Sequence, residues 1–302
     1  MKSITTLLYG GLGNQLFQYA AARSISLRQN ANLIFDLAGF KFDYFYLRNL
    51  DLDNFNIPRS IVRVNEIRRF KLLRAMRATS ERMSVVARLL RPKMLIEHST
   101  SYDPAVIATK VLGQTCMIGY WQDERYFADC ADAIRNDLSP IAPFSVGNAD
   151  FAARIRSCDR AVAVHVRRLH GLSAQVVSQH ASGGIAAISQ YSLSVDHYQR
   201  AIEYIQTRVQ SPVYFIFSDD PVWAKDNLRI PGEAVFLEKK RGPDHEDILL
   251  MSLCRHHVIA NSSFSWWGAW LAGHAGQIVV APTDVKYTPN IPPRWHLLQP
   301  AS

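Results

Sequence analysis

The stretch Ala161-Val-Ala-Val-His-Val-Arg-Arg168 runs four small or β-branched apolar residues into a histidine and two arginines. A continuous apolar run of this kind predicts a buried strand of a parallel sheet covered on both faces. Ligands of such sheets bind off the carboxyl ends of the strands. Alternation along the extended backbone puts His165 and Arg167 on one side and Arg168 on the other. A planar guanidinium meets two oxygens at once, so an arginine in this place suits phosphate or carboxylate.

Two more clusters fall in the same half of the chain. A strand over 213–217 ends in Ser218-Asp-Asp220, and Asn261-Ser-Ser-Phe-Ser265 opens a helix. A helix start with hydroxyls and free N–H groups cradles phosphate. A carboxylate from Asp219 or Asp220 accepts two N–H bonds, which is what the N1 and N2 edge of guanine offers, and Phe264 can stack on a base. Together these suit a guanosine diphosphate, with Arg167 stabilising the charge that grows on the leaving phosphate. Each has a plainer use taken alone. Ser262 and Ser263 can N-cap a helix, Asp219 and Asp220 can start the turn before Pro221, and Trp266, Trp267 and Trp270 can fill a core.

The N-terminal stretch carries a second candidate. A strand over 4–8, the turn Gly10-Gly-Leu-Gly-Asn-Gln15, a helix over 16–27 and a strand over 33–36 make a βαβ unit. Its glycine loop sits at a helix N-terminus, where anions are favoured. It is not the dinucleotide fingerprint, because Leu16 stands where the third glycine belongs. Gly11, Asn14 and Gln15 are the binding candidates here, the two amides offering hydrogen bonds that a plain turn would not need, and a tight structural turn is their plainer use. Asp51-Leu-Asp53 has the form of a metal pair, but no second acidic cluster follows, so no metal is expected.

These residues need a scaffold, and the pattern supplies one. Strand–helix alternation over the first half restarts from about residue 151, predicting an α/β chain of two Rossmann-like parallel-sheet domains facing across a cleft. The expected division is 1–147 and 148–302, with the proline- and glycine-bearing 141–147 as linker. A chain of 302 residues with 48% hydrophobic and 20% charged residues is ordinary for a soluble globular protein. No apolar run approaches a membrane span and no signal-peptide pattern opens the chain. Cys116, Cys130, Cys158 and Cys254 have no Cys-x-x-Cys spacing, which points to reduced thiols and a cytoplasmic location. The net charge of +8 sits in 59–93, which holds eleven arginines and lysines against Glu66 and Glu81. Ile67, Phe70, Leu73 and Met76 add an apolar stripe, so this segment reads as a basic amphipathic helix, either a solvated face or one able to lie on the inner membrane surface. Nucleic acid is not expected, because no recognition motif accompanies the charge.

With these residues in place the chain resembles the α-1,2-fucosyltransferase family. Gly10-Gly-Leu-Gly-Asn-Gln-Leu-Phe-Gln-Tyr-Ala20, His165-Val-Arg-Arg168 and Asn261-Ser-Ser-Phe-Ser-Trp-Trp-Gly-Ala-Trp-Leu271 are similar to its main motifs. Gly119-Tyr-Trp-Gln-Asp-Glu-Arg-Tyr-Phe127, Phe217-Ser-Asp-Asp220 and Asp247-Ile-Leu-Leu-Met-Ser-Leu-Cys254 are similar to its subsidiary blocks, in family order over nearly the whole chain. The resemblance implies a GT-B fold, GDP-β-L-fucose as donor, and inverting transfer to the 2-hydroxyl of a galactose-containing oligosaccharide or lipid-linked glycan. It also implies no metal or other cofactor. By resemblance Arg167 meets the diphosphate, Asn14 lies near the donor, and Ser262 and Ser263 meet phosphate. Asp219 or Asp220 and His165 meet guanine, and Phe264 packs on the base. One departure stands out: Leu169-His170 replaces the Gly-Asp that follows His-x-Arg-Arg in the family. The proton of the attacking hydroxyl then has three candidate acceptors, which are His170, Asp36 and a diphosphate oxygen. Another nucleotide sugar or linkage on the same fold, or a non-catalytic GDP- or glycan-binding protein, are the competing readings.

Overall fold

A computed structural model describes residues 1–42, 48–65, 93–168, 192–237, 243–283 and 290–299. The chain divides into two compact units, Met1–Ile141 and Ala142–Ser302. The junction falls at 141/142, and Val146 and Gly147 already belong to a helix.

The first unit is built on five parallel strands: β1 (Ser3–Leu7), β2 (Asn32–Asp36), β3 (Val62–Val64), β4 (Lys93–Ile96) and β5 (Gln114–Ile118). Their order across the sheet is β3-β2-β1-β5-β4. Helix α1 (Leu12–Gln29) links β1 to β2 and is buried on nearly every side through Leu16, Phe17, Ala20, Ala21 and Ile25, the alanines letting it lie close to the sheet. It starts four residues earlier than expected, with Gly11 as its N-cap, so Asn14 and Gln15 belong to its first turn. Asn30 closes it in a left-handed conformation at φ 47°, which asparagine tolerates. Among the described residues two short α-helices follow, α2 (Pro104–Ile107) and α3 (Ala131–Asp137). The Tyr19 hydroxyl (2.6 Å) and Arg23 Nε (2.8 Å) both donate to Asp137 Oδ2, tying α1 to α3.

The continuous basic helix expected over 59–93 is not found at its ends. Val62–Val64 is an edge strand on β2, and Lys93 opens β4. The alternating Val-Arg-Val signal is short, and the surrounding arginines hide it. The rest of that segment lies outside the described residues.

The second unit has six parallel strands: β6 (Ala161–Val166), β7 (Val213–Ser218), β8 (Ala234–Phe236), β9 (His256–Val258), β10 (Val279–Pro282) and β11 (His296–Leu298). They run in the order β8-β7-β6-β9-β10-β11, the strand order of a dinucleotide-binding sheet. Strand β11 was not expected; three residues at an edge leave little pattern. Helix α5 (Val195–Gln206) packs Tyr198, Ala201, Ile202 and Ile205 onto Val162, Val164 and Val166 of β6. Helix α6 (Pro221–Asn227) adds Ala224 to that core. Residues of β6 that alternate with these valines serve the other face, which carries α4 (Val146–Arg156), α7 (Asp244–Leu253) and α8 (Ser263–Ala272). Phe151 of α4 meets Phe215 and Phe217 edge-on. Gly268 brings α8 against α7, since a Cβ there would stand 2.8 Å from the Met251 Cβ. Glu246 joins α7 to α4, accepting from Ser145 N (2.9 Å), Ser145 Oγ (2.7 Å) and Asn148 Nδ2 (2.7 Å).

Candidate functional site

In the second sheet the chain works outward from β6 through β7 and β8, then returns to β9 and works the other way. The switch point therefore lies between β6 and β9, where an open α/β sheet binds its ligand. His165 and Arg167 stand at the end of β6, and Asn261 to Phe264 follow β9. The two sequence clusters thus meet in space: the His165 and Phe264 rings lie 5.8 Å apart at an interplanar angle of 31°. His165 is buried and Phe264 half-buried, so the two tilted rings form a ledge beside the strand end of which Phe264 is the more exposed member. Ser262 is the N-cap of α8, its Oγ accepting from Phe264 N, and Ser263 is the first residue of that helix. The capping hydroxyl still has a proton to donate, and the helix dipole favours an anion there.

Arg167 is held by a residue that the sequence alone assigns differently. Asp219, at the end of β7, accepts from Arg168 N at 2.9 Å and pairs with Arg167 Nε at 3.3 Å. A guanidinium gripped through Nε is fixed in orientation beside the strand end. Asp219 is therefore engaged with arginine rather than presenting its carboxylate to a base. Asp220 N-caps α6, accepting from Trp223 N at 3.1 Å, which is the turn-starting use open to it. Arg168 lies over the Trp223 ring with its Cζ 4.0 Å from the centroid, away from Arg167 as alternation requires. Burial pushes the phenol of Tyr198 up, and the nearby Asp219 carboxylate pushes it further, so it remains protonated. Trp266, Trp267 and Trp270 are all buried, which makes them core rather than a sugar platform.

In the first unit the glycine loop follows β1, at the switch between β1 and β5. Gly10 has φ 81°, a conformation that favours glycine, and Gly11 caps α1 without a side-chain hydrogen bond. Gln15 is wholly buried; its Nε2 donates to Gly10 O (3.0 Å) and Asn49 O (2.9 Å), and its Oε1 accepts from Asp51 N (2.9 Å). Both amide protons are spent, so Gln15 shapes the loop instead of offering a donor to ligand. Asn14 accepts at Oδ1 from Gln122 Nε2 at 2.8 Å. Asp36 at the end of β2 is buried, with Oδ1 on Ala38 N at 3.0 Å, and so serves the following turn rather than standing open as a base. Asp53 pairs with Arg63, and no group of three or more potential metal ligands occurs among the described residues. His170 lies outside the described residues.

Two features carry no signature in the chain. Glu97, just past β4, accepts from Tyr120 N (2.7 Å) and Trp121 N (2.9 Å). These bonds hold Trp121 at φ 58°, a left-handed geometry that costs a bulky residue about 1–3 kcal/mol. Asp247, in the first turn of α7, has its carboxyl pushed up to about 7 by burial and by its neighbours Asp244 and Glu246. Glu246 beside it moves the other way: burial would raise it, but the donors from Ser145 and Asn148 outweigh that and hold it below the ordinary glutamate range.

An arginine and a hydroxyl-bearing helix start thus meet at the switch point where such a sheet takes its ligand, and two parallel-sheet units in one chain are the architecture of the GT-B fold. Residues 94–291 match the model of glycosyl transferase family 11. An alpha-1,2-colitosyltransferase of Escherichia coli is 31% identical, over 94% of this chain and 92% of its own length. Galactoside alpha-(1,2)-fucosyltransferase 1 of Bos taurus is 27% identical over 37% of this chain and 29% of its own. Among solved structures, a variant of Arabidopsis thaliana FUT1 in complex with GDP shares the fold at a TM-score of 0.50, covering 92% of this chain and 70% of that one at 13% identity. The chain belongs to glycosyl transferase family 11.

Proposed function

We propose that the chain transfers L-fucose from GDP-β-L-fucose to the 2-hydroxyl of a galactoside, inverting the anomeric centre to an α-1,2 link without a metal ion. The observation that carries this reading is the meeting of Arg167, the His165–Phe264 ledge and the Ser262–Ser263 helix start at one switch point. The acceptor oxygen attacks the anomeric carbon, the bond to the diphosphate oxygen breaks, and GDP departs with the bonding pair. Arg167 neutralises that departing charge where a cation would otherwise serve. Ser262 and Ser263 take phosphate oxygens, the ledge takes the guanine, Asn14 takes an oxygen of the donor, and the first unit holds the acceptor. With Asp36 committed to its turn, the hydroxyl proton goes to His170 or to a diphosphate oxygen, and His170→Ala separates the two.

Incubation with GDP-fucose and lactose, followed by linkage analysis, tests the reaction. An α-1,2-fucosyl product is expected, and no transfer across a broad galactoside panel would overturn the reading. EDTA should leave turnover intact; a strict requirement for Mn²⁺ or Mg²⁺ would refute the metal-free mechanism. The 31% identity to a colitosyltransferase favours a second donor. Colitose is fucose without its 3-hydroxyl, so the same diphosphate grip serves both, and a direct comparison of kcat/KM for GDP-fucose and GDP-colitose decides between them.

A further inference from the structure

The motif Gly119–Phe127 has no part in the reaction described above, and it stands at the carboxyl end of β5, beside the β1–β5 switch point of the first sheet. Open α/β sheets take ligands at such a point. The turn is held from both sides. Glu97 accepts from Tyr120 N (2.7 Å) and Trp121 N (2.9 Å), and Gly119 leaves the room this needs, since a Cβ on it would collide with the Glu97 side chain. Past the left-handed Trp121, Asp123 N donates to Trp121 O at 2.8 Å, and the buried Asp123 carboxylate accepts from Arg125 N at 2.9 Å. Strain of this kind persists only where the surroundings over-determine it, and it gathers at ligand sites.

Two side chains of this turn reach the switch point. Tyr120 and Tyr9, the latter just past β1, are half-buried ring neighbours with centroids 4.7 Å apart. Gln122 is half-buried too, and its Nε2 donates to Asn14 Oδ1 at 2.8 Å. A Cβ on Gly10 would touch both the Asn14 side chain (3.0 Å) and the Tyr120 ring (3.6 Å), so the amide pair and the ring share one corner. The bond to Asn14 engages the nitrogen end of the Gln122 amide, and Gln122 Oε1 accepts from nothing among the described residues. An oriented carbonyl beside an aromatic ring suits a neutral pyranose, whose hydroxyls donate to the oxygen while its C–H face lies on the ring. We propose that Tyr120 and Gln122 form an acceptor-sugar subsite within the first unit, with the galactose of the acceptor lying on the Tyr120 ring and one of its hydroxyls donating to Gln122 Oε1. This rests on the reading of the chain as a galactoside transferase.

Saturation-transfer NMR with methyl β-D-galactoside on the full chain reads this subsite without turnover. Wild type should bind the sugar. Gln122→Met and Tyr120→Leu, each checked for folding by circular dichroism and Tm, should weaken that binding about three- to tenfold, the worth of one neutral hydrogen bond or contact face. GDP affinity should stay at the wild-type value in both, and if one variant fails to fold the other carries the test. Among the monodeoxy galactosides one should bind wild type less tightly by a similar factor, and Gln122→Met should no longer discriminate against it; a merely structural glutamine would leave that discrimination intact. The proposal is overturned if wild type binds no galactoside, if the folded variants bind it as wild type does, or if GDP and galactoside weaken together. A chain that binds galactoside through Gln122 yet transfers no fucose to it keeps the subsite and loses the proposed reaction, so the two failures are told apart.

Discussion

Asp219→Asn should lower kcat/KM for the nucleotide sugar by about 5- to 30-fold, through Arg167 rather than through the base. Asp219 grips Arg167 Nε at 3.3 Å and Arg168 N at 2.9 Å. Opposite unit charges about 4 Å apart attract by roughly 4 kcal/mol at an effective dielectric of about 20. The Arg167 and Asp219 side chains are 27% and 16% exposed, so screening, desolvation and side-chain ordering leave a net effect of about 1–2 kcal/mol. At about 1.4 kcal/mol per decade that gives the predicted range. Asparagine fills the same volume and still accepts from Arg168 N, so the fold should survive. A double-mutant cycle supplies the decisive readout. Arg167→Ala alone should cost roughly 3–4 kcal/mol, as loss of an oxyanion donor does. In that background Asp219→Asn should add almost nothing, since the two act as one unit. Titration with GDP, ADP and UDP should show all three weakened in the same proportion. A selective loss of GDP over ADP, undiminished by Arg167→Ala, would refute the reasoning and return Asp219 to the base.

Glu246→Gln should destabilise the second unit by about 2–4 kcal/mol in denaturant titration at pH 7, because the new amide sets a donor against donors from Ser145 and Asn148. Its folded carboxyl is held low by those donors against the opposing effect of burial, so the gap between wild type and variant should be full above the ordinary glutamate pKa and close as pH falls through the folded value. Asp247→Asn should do the reverse: burial and its acidic neighbours push the carboxyl up to about 7, so its ionisation opposes folding, and the variant should gain Tm over wild type at pH 8 but little at pH 4. Gly268→Ala should lower Tm, since a Cβ 2.8 Å from the Met251 Cβ forces α7 and α8 apart at about 1–3 kcal/mol, outweighing the gain of about 1 kcal/mol in helix propensity.

What could be read from the chain follows from which physical rules act locally. Central strands announce themselves by apolar runs, so β1, β2, β6 and β7 were legible within a residue or two. Placing their carboxyl ends was then enough to put Arg167, His165, Phe264 and Ser262 at one switch point, because a side chain just past a buried parallel strand has one place to go. Edge strands β3, β4 and β11 are three or four residues long and half-exposed, so neither length nor periodicity separates them from loop.

The misassigned residues share a different cause. Asp219, Gln15 and Asp36 each carry a group with two legitimate uses, binding a ligand or satisfying buried backbone, and composition around them is the same in either case. Which use prevails depends on the orphan N–H and C=O groups that folding brings near: Arg168 N for Asp219, Gly10 O and Asn49 O for Gln15, Ala38 N for Asp36. Those partners are two to 51 residues away, and their need is invisible until the turn is made. Glu97 is the extreme case, since it accepts from the backbone N–H groups of Tyr120 and Trp121, which any residue would supply. A polar residue at the mouth of a parallel sheet should therefore be assigned to ligand only after the backbone groups around it have been accounted for. By that criterion Gln15 is the clearest case for the backbone, because Gly10 O, Asn49 O and Asp51 N take up both its amide protons and its oxygen.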